Sequence, residues 1–184
     1  MNGRRFSLKP FLTADLPPDV KITGNISRHS NTLTINYILI GPLANLVLPA
    51  PAEKPLRRNA LWEETCFEFF IAAENSGQYW EFNLSPSGHW NAYRFSSYRQ
   101  GMQEEQACTT LPFTVQSQPD VLRLSAEIDL AKFIPADQVL NVAISAVIKS
   151  IDGGITYWAL THPGPQADFH RRESFIIELS STPS

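Results

Sequence analysis

The residues best equipped for chemistry in this 184-residue chain are carboxylates and amides set at alternate positions in two short stretches. The first, Glu64 to Ala73, carries Glu64, Cys66, Glu68 and Phe70 on one parity and Phe67, Phe69 and Ile71 on the other. The second runs from Gln78 to Ser96 and holds Glu81, Asn83, Asn91 and Tyr93. A strand sends successive side chains to opposite faces, so alternation of this kind separates a polar face from an apolar one. Side-chain carboxylates and amides accept and donate hydrogen bonds to hydroxyls, and rings such as Tyr79, Phe70 and Tyr93 can stack on a sugar-like ring. This points to binding of a neutral polyhydroxyl ligand rather than to a reaction. No serine elbow, phosphate loop, dinucleotide loop or paired-histidine zinc motif occurs. Glu64 and Glu68 would lie about 13 Å apart along a strand at about 3.3 Å per residue, too far for a glycosidase pair. Glu81, on another strand, could come nearer, so glycoside hydrolysis is disfavoured without being eliminated.

The elements that must position these groups read as strands. Fourteen prolines and nine glycines punctuate short alternating runs, a pattern that predicts an all-β, two-sheet antiparallel β-sandwich, jelly-roll or immunoglobulin-like, of about ten strands with little helix. The expected strands are Val20–His29, Thr32–Ile40, Leu43–Leu48, Glu64–Ala73, Gln78–Ser85, Gly88–Ser96, Val121–Ile128, Leu140–Ser150, Ile155–Leu160 and Ser174–Leu179. Asp129–Phe133 could form one helical turn capped by Asp129, and Ser97–Gln106 a brief coil. Residues 1–184 fit one domain, large enough to bury roughly 70% of its unfolded surface.

The turn Ser85-Pro86-Ser87-Gly88 fixes the register of the central hairpin. Proline suits the turn's first corner and glycine its left-handed position, giving a three-residue loop with a bulge. Ser85 then faces His89, Asn83 faces Asn91 and Glu81 faces Tyr93, while Leu84, Phe82 and Trp80 meet Trp90, Ala92 and Arg94 on the other side. The polar side is either a solvated outer face or a ligand surface. Arg94 over Trp80 would be a cation–π contact, Trp158 a core residue, and Trp62 an exposed ring where the long loop Pro49–Leu61 enters a strand. Late in the chain Asp168 and His170 lie in a proline-stiffened loop, where they would brace the loop or touch a ligand rather than bind metal.

Composition excludes other classes. A formal charge of −3 with scattered basic residues argues against nucleic acid, and no apolar run is long enough for a membrane span. Cys66 and Cys108 match no metal spacing and read as reduced, buried thiols. With no apolar run behind Arg4–Arg5, a cytoplasmic location is expected. Tyr, Trp and Arg on a sheet face would also suit a protein partner or an oligomer contact.

The runs LWEETCFEFFIA, YWEFNLSPSGHWNAYRFSSYRQGM and ADFHRRESF together resemble the DOMON-like domains of bacteria, which are related in fold to the family 9 carbohydrate-binding modules. The resemblance spans Trp62 to Phe175 and rests on Trp62, Glu64, Glu68, Glu81, Asn83, Pro86, Gly88, Tyr93, Arg94, Asp168 and His170. It implies a β-sandwich that binds a ligand, sugar and haem being the two classes found among such domains. In the sugar case Trp62 would be one of two clamping rings. In the haem case a Met and a His would be axial ligands, and Met102 is the only methionine besides Met1. The expected ligand-binding set is thus Trp62, Glu64, Glu68, Glu81, Asn83, Asn91, Tyr93, Asp168 and His170, with a saccharide as the leading ligand and no catalytic residue or required cofactor.

Overall fold

A computed structural model describes residues 3–13 and 18–180. Thirteen strands are present among them: β1 (Arg4–Ser7), β2 (Lys9–Pro10), β3 (Lys21–His29), β4 (Thr32–Ile40), β5 (Cys66–Ala73), β6 (Tyr79–Leu84), β7 (Trp90–Phe95), β8 (Gln103–Glu104), β9 (Phe113–Gln118), β10 (Val121–Asp129), β11 (Leu140–Lys149), β12 (Ile155–Ala159) and β13 (Ile177–Leu179). They form two antiparallel sheets. One has the order β1-β3-β4-β10-β9, the other β2-β12-β11-β5-β6-β7-β8 with β13 also pairing to β11. The expected all-β sandwich is the fold observed. Among the described residues the only helical elements are three single 3-10 turns, at Leu43–Asn45, Leu61–Glu63 and Arg172–Ser174.

Strict alternation on β4 and β10 drives the sandwich together. Leu33, Ile35, Tyr37 and Leu39 face Leu122, Leu124, Ala126 and Ile128 along one sheet, and all are buried. The opposing sheet contributes Phe67, Phe69, Ile71, Trp80, Phe82, Leu84, Trp90 and Trp158 to the same core. Phe69 and Phe82 stack with centroids 4.6 Å apart. Gly24 permits the closest approach between β3 and its neighbours, since a Cβ there would lie 1.9 Å from the Asn36 carbonyl oxygen.

Three expectations needed correction. Leu43–Leu48 is not a strand: Leu43 and Leu46 are both buried, and a spacing of three is met by one 3-10 turn, which brings i and i+3 together. β5 starts at Cys66, leaving Glu64 ahead of it with its backbone N–H bonded to the Leu61 carbonyl, 3.3 Å. Arg94 does not cover Trp80; its guanidinium is exposed and donates to Gln103 Oε1 at 3.1 Å, while the Trp80 indole N–H donates to Glu105 Oε2 at 2.9 Å. The cation–π role falls instead to Arg57, 4.5 Å above Trp90. The Asp129 turn is present: the Phe133 and Ile134 N–H groups donate to the Leu130 carbonyl at 3.1 and 2.9 Å, and Asp129 Oδ1 accepts from the Ala131 N–H at 2.9 Å. Cys66 and Cys108 are buried free thiols.

Candidate functional site

The central hairpin adopts the expected register. Asn83 faces Asn91, Glu81 faces Tyr93 and Leu84 faces Trp90, and Gly88 takes the left-handed corner at φ +93°. β5 adds Glu68 opposite Asn83 and Phe70 opposite Glu81, and β11 adds Ser145 opposite Glu68. One row across the outer face of the larger sheet therefore reads Ser145, Glu68, Asn83, Asn91, and the next reads Ala143, Phe70, Glu81, Tyr93. Glu68 and Glu81 are diagonal neighbours, a relation that leaves their side chains within reach of each other.

This face is not solvated. Glu68 is 3% exposed, Glu81 5% and Asn83 0%, because loops from both ends of the sheet fold over it. Asn91 anchors the first loop: its amide nitrogen lies 2.9 Å from Asn59 Oδ1 and 3.1 Å from the Arg58 carbonyl, and its oxygen accepts from Arg57 at 2.9 Å. Tyr93 donates to the same Asn59 oxygen at 3.0 Å. Ala60 then turns left-handed at φ 57° and starts the turn that carries Trp62, whose ring meets Tyr93 edge-on at 5.8 Å. Asp168 anchors the second loop by accepting from Arg99 at 2.9 Å, from the His170 backbone N–H at 3.1 Å and from the Tyr98 hydroxyl.

Between these loops lies a cavity of about 370 Å³ with Glu68 and Glu81 on its floor and Trp62, Tyr157, Phe169 and His170 among its walls. His170 packs edge-on against Phe70, Tyr79 and Phe95. Its protonation follows from the hydrogen bonds. The Arg99 backbone N–H donates to the Tyr79 oxygen at 3.2 Å, so the Tyr79 hydroxyl, 2.8 Å from His170 Nδ1, is arranged to donate to that nitrogen. That arrangement favours the tautomer with the ring proton on Nε2, 3.8 Å from Glu81 Oε2. Burial, with the Arg99 charge adding to it, lowers the His170 pKa to about 4, so the ring is neutral near pH 7.

The carboxyls shift the other way. Burial pushes Glu81 up to about 7, against the Asn83 hydrogen bond and the Arg99 charge. Burial and then repulsion from Glu81 raise Glu68 well above the carboxylate range, opposed by the bond from Ser145 Oγ at 3.3 Å. Asn83 Nδ2 donates to Glu81 Oε1 at 3.0 Å. Glu68 Oε1 and Asn83 Oδ1, buried on paired strands, accept no hydrogen bond. Behind them Tyr37 crosses the core from the smaller sheet and donates to the Glu68 backbone carbonyl at 2.7 Å. Asp168 differs: burial works against its charge, but the bonds from Tyr98, Arg99 and the His170 N–H prevail and hold its pKa low.

Of the nine residues singled out from sequence, Trp62, Glu68, Glu81 and His170 line the cavity. Asn83 lies beneath it, and Asn91, Tyr93 and Asp168 hold the loops that enclose it. Glu64 is exposed, outside the strand. Tyr157, Phe169, Arg99 and Ser145 escaped the sequence reading. Tyr157 had a usable signal, since it neighbours the core residue Trp158 on a strand and must face the other way.

Haem fits this site poorly. Met102 and His170 both line the cavity, but Nε2, the nitrogen left to ligate iron, faces the Glu81 carboxyl. No cluster of three or more His, Cys, Asp or Glu among the described residues is placed to hold a metal ion, and no helix among them is long and apolar enough to cross a membrane.

No protein-family model matches the chain, and no curated protein matches it either. Solved structures do. A candidate carbohydrate-binding protein from Bacteroides uniformis superposes with a TM-score of 0.69 at 13% identity, covering 97% of this chain and 86% of its own. A family 9 carbohydrate-binding module from Caldicellulosiruptor kristjanssonii in complex with cellotriose gives 0.59 at 13% identity, covering 100% and 84%. The module from that organism in complex with glucose gives 0.56 at 13%, covering 92% and 80%. The chain thus shares its fold with these three structures.

Proposed function

We propose that the protein is a non-catalytic binding module that takes a saccharide or related polyhydroxyl compound into the cavity between the Trp62 and His170 loops. The observation that carries this reading is the buried acceptor Glu68 Oε1, left without a donor at the cavity floor, with a second such acceptor, Asn83 Oδ1, on the paired strand beneath. A buried acceptor without a partner costs about 1–3 kcal/mol, a cost that a hydroxyl-bearing ligand removes. Trp62, Tyr157 and Phe169 supply apolar ring faces above that floor, the usual division of labour in a small-molecule site. Trp62 is then one wall of a ring clamp and Tyr157 the other. The fold shared with family 9 modules supports the same reading, and the DOMON-like resemblance is compatible with it.

The test is calorimetric titration with mono- and oligosaccharides at millimolar concentration, on the wild type and on Trp62→Ala. Binding that weakens at least about tenfold in the variant while folding is retained supports the site. Absence of binding across the panel would reject it. One observation favours a second reading: Glu68 and Glu81 share the cavity floor, as the two carboxyls of a glycosidase would share a cleft. Both, however, rise from one sheet face, whereas hydrolysis needs carboxyls flanking the scissile bond. Release of p-nitrophenol from aryl glycosides, abolished by Glu81→Gln, would support that second reading.

A further inference from the structure

The floor of the cavity holds two carboxyls with no cation bonded to either. Glu68 Oε1 and Asn83 Oδ1 are without donors, and Glu81 Oε2 has only the neutral His170 Nε2 at 3.8 Å. The three oxygens belong to paired or diagonal positions on β5 and β6. No lysine or arginine among the described residues forms an ion pair with either glutamate; Arg99 and Arg171 are held by Asp168 at the rim, at 2.9 and 3.8 Å. The titratable groups around the pair are Cys66 on β5, Tyr79 on β6, Tyr93 on β7, His170, and Tyr37 beneath. All of these are uncharged near pH 7; Arg99 lines the same cavity and its charge reaches Glu81, but it is bonded to Asp168 and not to either glutamate, so no cation directly pairs an ionised carboxylate on the floor. A hydroxyl donates one hydrogen, whereas an ammonium donates three and carries the missing charge. The surrounding rings of Trp62, Tyr157 and Phe169 are favourable to a cation as well as to a sugar face.

We propose that the site selects a sugar bearing a free, protonated amine, with the ammonium seated between Glu68 and Glu81 and bonded to their unpartnered oxygens. This rests on the saccharide reading above and narrows it. Without ligand the two carboxyls retain protons, Glu81 because burial disfavours its charge and Glu68 because burial and then repulsion from Glu81 do. The ammonium displaces those protons, so binding releases protons to the buffer.

The experiment is isothermal titration of the full chain at pH 6.5 with glucose, galactose and mannose, each beside its 2-amino and 2-acetamido counterparts, in two buffers of different ionisation enthalpy. At least one free-amine sugar is expected to bind at least about tenfold tighter than its parent and its acetylated form, as a charge-assisted contact requires, with proton release. Glu68→Gln should erase that preference, whereas Trp62→Ala should weaken amine and parent sugars alike. Neutral sugars that bind as well as the amines, or a preference unchanged in Glu68→Gln, would overturn the ammonium seat and leave the saccharide site standing. Binding by no sugar of any form would overturn both.

Discussion

Replacing Glu81 by Gln should stabilise the unliganded protein at alkaline pH and leave it unchanged at acid pH. The side chain is buried, and its carboxyl is pushed from an ordinary 4.5 up to about 7. Below pH 4.5 the group is protonated in both the folded and the unfolded chain, and its contribution to stability is fully present. Between 4.5 and about 7 the unfolded chain gives up the proton while the folded chain keeps it, so stability falls as pH rises. The loss is on the order of 3 kcal/mol, at about 1.4 kcal/mol for each pH unit between the two values. Glutamine mimics the protonated form and can still accept from Asn83, whose Nδ2 lies 3.0 Å from Glu81 Oε1. Removing the Glu81 charge also relieves the repulsion that raises Glu68, which adds to the effect with the same sign.

His170 gives the opposite slope. Its pKa falls from 6.5 to about 4 on folding, so its contribution is lost as pH falls through that window and recovered as pH rises. In the wild type the two groups oppose each other over much of pH 4.5–6.5, and a flat profile there would be uninformative. The difference between wild type and Glu81→Gln isolates the carboxyl. Urea unfolding at half-unit steps from pH 4 to 8 should give curves that coincide near pH 4 and diverge by on the order of 3 kcal/mol at pH 8, the variant being the more stable. A difference independent of pH, or a variant less stable at pH 8, would refute the account of a buried, uncompensated carboxyl.

Other perturbations separate support from binding. Asn91→Ala should cost about 1–3 kcal/mol by urea unfolding, because it removes the buried amide that bonds Arg57, Asn59 and Tyr93 together. Arg28→Met should cost about 3 kcal/mol and loosen residues 135–138, whose Pro135, Ala136 and Gln138 carbonyls accept from the buried guanidinium; hydrogen exchange of that segment reads it directly. Asp168→Asn should shift stability by no more than about 1 kcal/mol, since Arg99 is half exposed, yet free the loop for faster tryptic cleavage after Arg171 or Arg172.

The hairpin register was legible because two independent signals agreed: the turn residues Pro86 and Gly88, and the alternation on both flanking strands. Where only one signal existed, elements were missed. β9 reads FTVQSQ and lies at a sheet edge with little apolar periodicity, and β1 is four residues with one buried side chain. The enclosure of the site was illegible for a different reason. Whether a polar strand face meets water or a loop depends on contacts distant in sequence, such as Asn59 with Asn91 or Asp168 with Arg99, 69 residues away. The loops themselves carry no periodicity that records where they land.

Arg28 and Glu68 show how the enclosed face differs from the rest of the described fold. Both are ionisable residues buried almost completely, at 2% and 3% exposure. Arg28 is matched by backbone carbonyls of Ser30, Pro135, Ala136 and Gln138, so its burial is compensated within the fold. Glu68 keeps one oxygen with no donor, and its cross-strand neighbour Asn83 does the same. Asn31 and Ser174 also leave a buried oxygen unpaired, but each stands alone and away from the cavity lining. Among the described residues, Glu68 and Asn83 are the two that carry such atoms on paired strands, and Glu68 lines the cavity with the aromatic walls; a buried polar group that the chain leaves unsatisfied calls for a partner from outside the chain or a functional reason. On the proposed function, the ligand supplies the partner that the chain does not give Glu68 Oε1, and the amine preference is the test of which kind of donor that is.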